Sequence, residues 1–68
     1  MSADVTDEEK NSLTPEYGFN LCGIDYFESL GRRLYLIENY DRYQDALKAK
    51  NERERPSEYL ILYKGAPS

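Results

Sequence analysis

Apolar residues gather in two short runs, Leu34-Tyr35-Leu36-Ile37 and Tyr59-Leu60-Ile61-Leu62-Tyr63. Both are rich in β-branched and aromatic residues, and both are bounded by polar or turn-forming positions, as strands are. Neither alternates strictly, so each presents apolar side chains to both sides of a sheet. The expected strands are Arg32–Asn39 and Glu58–Lys64. In the second, Tyr59, Ile61 and Tyr63 point to one side and Leu60 and Leu62 to the other. An earlier strand, Ile24–Ser29, is expected from Ile24, Tyr26 and Phe27. It would form a hairpin with the next strand around Leu30-Gly31.

Between the two runs the period changes. Asp41 to about Arg55 places Tyr43, Ala46, Leu47 and Lys50 on one face at helical spacing. Asp41 and Gln44 have the separation of a capping box. Asp41 and Asp45 fall early; Lys48, Lys50, Arg53 and Arg55 fall late, which suits the helix macrodipole. Pro56 then ends the helix. If the last two strands pair, this helix is the crossover between them, and the pattern leaves parallel and antiparallel pairing open.

Residues 1–16 read as an acidic, poorly ordered tail, rich in Asp, Glu, Ser and Thr. Thr6 stands where a helix cap would, ahead of Asp7, Glu8 and Glu9, so one transient turn is expected there before Pro15. Residues 17–65 form a single domain, and 66–68 a frayed end. The predicted fold is α+β. A small two- or three-stranded sheet carries one helix on one face, in the order β-β-α-β. One helix covers one face, so the other apolar face needs something to lie against.

Size sharpens that need. A chain of 68 residues leaves much of its surface exposed after folding, and such small domains usually add disulfides, a metal or a second chain. The single cysteine, Cys22, excludes an internal disulfide. Without histidine, a structural zinc lacks its usual ligands. No Asp-x-Asp-x-Asp-Gly loop offers a calcium site. No metal and no cofactor are expected, which leaves another protein chain, with a homodimer as the alternative. The N-terminus is acidic and lacks the apolar run of a signal peptide, and no stretch approaches a membrane span. With one free thiol, a cytoplasmic location is expected.

Charge is uneven. Residues 1–30 carry seven acids and one base, residues 31–68 six acids and eight bases, so −6 faces +2 in a chain of net −4. Such asymmetry suits a basic partner surface, although solvated acids on a tail explain it more simply. The alternating charges of Asn51 to Arg55 read first as a solvated helix face. Seven tyrosines suit a half-buried sheet, and as a set they also suit a contact surface. The expected protein-binding residues are Tyr35, Ile37, Tyr59, Ile61 and Tyr63, with electrostatic contacts from Arg32, Arg33, Glu8 and Glu9. Single-stranded nucleic acid stacking on Tyr and Arg ranks last, because an acidic chain repels phosphate. Catalysis is not expected: there is no histidine for proton transfer, and Cys22 has no base beside it in sequence. The sequence therefore points to a small non-enzymatic module that regulates, inhibits or adapts a larger protein complex through an aromatic sheet face.

Overall fold

A computed structural model describes residues 5–65. The elements, in chain order, are α1 (Asp7–Leu13), β1 (Phe19–Ile24), β2 (Leu34–Tyr40), α2 (Tyr43–Asn51), a 3-10 turn (Pro56–Glu58) and β3 (Tyr59–Leu62). The class is α+β, and the strands and long helix follow the expected β-β-α-β order. The sheet is antiparallel throughout, with β1 in the middle and the spatial order β2-β1-β3. The last two strands therefore do not pair with each other. Each lies against β1, and α2 spans from one edge to the other.

The first strand lies earlier than the hydrophobic pattern suggests. It covers Phe19–Ile24, and the chain leaves it at Asp25. There the Asp25 carboxylate accepts from the Phe27 amide at 3.0 Å, and the Glu28 amide donates to the Asp25 carbonyl at 3.1 Å. This is side-chain chemistry that closes a turn in competition with a strand. The strand that replaces the expected one is the centre of the fold. Leu21 and Cys22 within it are fully buried at 0 % exposure. Gly23 belongs there because the Tyr35 ring and hydroxyl occupy the space where a Cβ would stand.

Register assigns side chains to faces, since directly opposed residues share one. Leu21 opposes Glu38 on β2 and Ile61 on β3; Gly23 opposes Tyr35 and Tyr59. These form the face beneath α2. Cys22 opposes Leu36 and Leu60, and Asn20 opposes Asn39 and Leu62, on the other face. The register slips between Leu21 and Cys22, leaving Ile37 as the extra residue of a bulge in β2.

The helix α2 is shorter than its pattern, Tyr43–Asn51 rather than Asp41–Arg55. The expected Asp41–Gln44 capping box is not formed: Arg42 is the N-cap, without a side-chain hydrogen bond. The chain bends at Asp41–Arg42, and the Tyr43 ring enters an aromatic cluster. Phe19 meets Tyr43 at 5.7 Å and Tyr63 at 5.2 Å, and Tyr43 meets Tyr63 at 5.8 Å. Such tilted and edge-on pairs contribute about 0.5–1.5 kcal/mol each beyond burial. They fix the start of α2 over β1 and β3, and Ala46, fully buried, brings the helix close to the sheet.

The acidic segment is not a tail in residues 7–13. It is a helix with a complete capping box: the Glu9 amide donates to Thr6 Oγ1 at 3.2 Å, and the Thr6 amide donates to Glu9 Oε1 at 2.9 Å. Its last carbonyls are taken up as well. Thr14 Oγ1 donates to Lys10 at 2.6 Å, and Asn20 Nδ2 donates to Leu13 at 2.8 Å. That second bond backs the α1 segment onto the face bearing Asn20 and Cys22. This corrects the expectation of one bare sheet face, since α1 supplies cover from the segment read as solvated. Residues 1–4 of the expected tail, and the frayed end 66–68, fall outside the described residues.

Candidate functional site

The five residues expected on one contact surface are distributed over two edges. Tyr59, Ile61 and Tyr63 lie on the α2 side, half-buried. They do not occupy an uncovered face. They line a groove of about 240 Å³ between α2 and β3, together with Tyr43, Leu47 and Lys50. Tyr35 sits at the opposite edge, exposed, with its ring over Gly23. Ile37 is the bulge residue, half-buried. The pattern of alternation placed Tyr59, Ile61 and Tyr63 together correctly, but the lone visible helix was needed on their side, because Phe19 supplies the third ring of the cluster.

The groove has a graded chemistry. Its Tyr63 end is aromatic, closed by the Phe19–Tyr43–Tyr63 cluster. Its Tyr59 end is cationic: the Arg53 guanidinium lies 5.1 Å from the Tyr59 ring centre, and Lys50 lines the wall. A cation over a tyrosine face is worth about 0.5–1 kcal/mol where exposed. Neither Lys50 nor Arg53 enters an ion pair among the described residues; ion pairs there include Arg55–Glu58 at 3.9 Å and Lys64–Glu16 at 2.8 Å.

The four expected electrostatic residues sit at the far side. Glu8 is exposed on the first turn of α1, and Arg32 is exposed on the β1–β2 connection. Arg33 is half-buried, its Nε donating to the Glu28 carbonyl at 2.9 Å. Glu9 is a structural anchor, at 8 % exposure. Its Oε1 accepts from Thr6 N, Thr6 Oγ1 and Gly31 N at 2.9, 3.2 and 3.1 Å, and its Oε2 accepts from Arg33 N and Leu34 N at 2.8 Å each. A buried carboxylate is tolerated when hydrogen-bond donors replace its water. The Thr6 amide, then the Leu34 amide, the Thr6 hydroxyl and the Arg33 amide hold its pKa below the ordinary carboxylate range, against the opposing effect of desolvation.

Sequence reasoning did not single out the β1–β2 connection as a surface. Phe27 at its tip is fully exposed, and Tyr26 and Leu30 beside it are exposed too. The backbone under them is tied down. The Arg32 amide donates to the Ser29 carbonyl at 2.9 Å and the Asp25 amide to the Arg33 carbonyl at 2.7 Å. Gly31 turns with φ at 100°, a conformation that favours glycine. The available signal was the turn chemistry of Asp25 and Gly31, which marks Tyr26 and Phe27 as tip residues instead of strand residues.

Cys22 is fully buried, and burial pushes its thiol up to about 11, so the reactive thiolate is disfavoured. Among the described residues, no group of three or more His, Cys, Asp or Glu is placed to hold a metal ion. No helix among them is long and apolar enough to cross a membrane. No protein-family model, curated protein or solved structure matches the chain.

Proposed function

We propose that the protein is a small, non-enzymatic, cytoplasmic protein-binding module that regulates, inhibits or adapts a larger complex, with the α2–β3 groove as its contact surface. The observation that carries this reading is an aromatic-lined groove running beside an unpaired strand edge. A partner gains two kinds of contact there: apolar and aromatic burial against Tyr43, Leu47, Tyr59 and Ile61, and backbone pairing along the edge. Aromatic anchors in a partly preformed groove carry most of the energy in such interfaces, because little ordering is left to offset the gain.

The test compares capture from host extract by immobilised wild-type protein, by Tyr59→Ala with Leu47→Glu, and by Phe27→Ala. The groove variant is expected to lose the proteins that the wild type retains, while the loop variant keeps them and far-UV circular dichroism stays unchanged for both. Equal capture by all three removes the groove from consideration.

A second reading is self-association, supported by the exposure of Phe27, Leu30 and Leu36. Exposed apolar residues of this size mark an interface when they are contiguous. Sedimentation equilibrium decides it: a dimer that Phe27→Ala converts to monomer supports this alternative, and a wild-type monomer at micromolar concentration removes it.

A further inference from the structure

The two edges of the sheet differ in how they treat an incoming strand. At β2, the Leu34 amide donates to Glu9 instead of to a strand, and the Ile37 bulge interrupts the ladder. Carboxylates aimed at an edge and bulges within it are the devices that keep edges from pairing. At β3 neither device is present. Tyr59 to Leu62 is uncharged, and its register against β1 is continuous. Among the described residues no side chain bonds the backbone of Leu60, Ile61 or Leu62. Alternate residues of the strand pair with β1, and the Tyr59 amide donates to Pro56 of the 3-10 turn.

We infer that β3 takes a short extended segment of another polypeptide as a fourth strand, with apolar residues at alternate positions and an acidic residue at its Tyr59 end. This rests on the protein-binding reading above and adds the chemistry of the partner. Residues of an added strand that lie on the α2 side recur every second position. They enter the groove lined by Tyr43, Leu47, Tyr59, Ile61 and Tyr63. The charge follows from Lys50 and Arg53, two cations outside any ion pair among the described residues, at the Tyr59 end of the groove. At the other end Lys64 is already paired with Glu16, so the demand for an acid is one-sided. β3 is four residues long, which limits the segment to a similar length. A second copy of this chain is a poor occupant. A two-fold axis between two β3 strands sets the Tyr59 end of one protomer beside the Leu62 end of its partner, where Glu16 is already paired with Lys64, so Lys50 and Arg53 of neither copy gain a free acid.

Short synthetic peptides test this by fluorescence anisotropy: alternating valine and threonine with glutamate at one end, the same peptide with lysine instead, and the glutamate peptide N-methylated at alternate residues. The glutamate peptide is expected to bind about ten-fold more tightly than the lysine peptide. N-methylation is expected to abolish binding and separate strand addition from mere filling of the groove. Lys50→Glu with Arg53→Glu is expected to reverse the preference, and exchange at the β3 amides that do not pair with β1 to slow on binding. Equal affinity for the two charges, indifference to N-methylation, or no binding by any peptide overturns the inference. If the peptides fail while Tyr59→Ala with Leu47→Glu still loses captured proteins, only this inference falls. If capture is unaffected as well, the protein-binding reading falls with it.

Discussion

At the start of the β2 edge the Glu9 carboxylate takes the Leu34 amide, together with the Gly31 and Arg33 amides of the preceding connection. At the β3 edge the backbone groups that do not pair with β1, at alternate residues, face outward beside a groove of aromatic and aliphatic side chains. Both strands pair with the same central strand, so the difference comes from the Ile37 bulge in β2 and from what each edge borrows. β2 takes its cover from a helix more than twenty residues upstream, bonded through one side chain. β3 takes only one-sided cover from α2, whose Tyr43 ring reaches its inner face and leaves its rim open. A small antiparallel sheet has two edges to manage, and here one is closed by a carboxylate while the other keeps the features of a binding surface.

The largest effect expected is one that erases the comparison. Leu21 is fully buried and opposes Glu38 on one side and Ile61 on the other. Leu21→Ala is expected to cost about 2–5 kcal/mol, read by urea unfolding. Amide protection should fall at both edges together. Loss confined to one edge would mean that the two are not supported by a common core.

Glu9→Ala sharpens the comparison, because it removes the acceptor of one edge only. Exchange at Gly31, Arg33 and Leu34 is expected to accelerate strongly, while the β3 amides that pair with β1 stay protected. Acid should act in the same way. The folded pKa of Glu9 lies below its unfolded value, so its stabilising contribution is complete above the unfolded value. That contribution is lost as pH falls through the folded one. Protection of the Leu34 amide should therefore decline in acid before that of the β3 amides paired with β1. Hydrogen exchange monitored by NMR across an acid titration checks both. Parallel loss at the two edges would show that the carboxylate does not act locally.

The smallest effect is at the groove. Arg53→Ala removes the cation over Tyr59 and is expected to cost about 0.5–1 kcal/mol, with the Phe19–Tyr43–Tyr63 cluster unaffected. Thermal unfolding measures the loss, and near-ultraviolet circular dichroism reports on the rings. A change in the aromatic signal would tie the cationic end of the groove to its aromatic end more closely than the contacts require.

Much of the scaffold can be read along the chain. β2 falls within two residues of its expected span and β3 inside its own, because their β-branched and aromatic runs have no helical period. The middle of α2 follows from Tyr43, Ala46 and Leu47. The cap of α1 was visible as Thr6 ahead of three acids, although nothing local indicated that the helix would dock. β1 was hidden. Phe19-Asn20-Leu21-Cys22-Gly23-Ile24 contains an asparagine and a glycine, both poor strand formers. They fit because distant groups receive them: Asn20 binds the Leu13 carbonyl and Asn39 Nδ2, and Gly23 leaves room for Tyr35. The candidate site was half legible. Tyr59, Ile61 and Tyr63 share a face by strand periodicity alone, but which face α2 covers depends on Phe19.

From sequence alone came the class, the strand–helix–strand core and the absence of a disulfide, because these depend on residue type and on spacings of a few positions. Tertiary structure decided which strand is central, which face each helix covers and which edge stays open. Those outcomes rest on single long-range contacts, such as Glu9 to Leu34 and Asn20 to Leu13. No local period encodes a hydrogen bond whose partner is brought close only when the chain has folded.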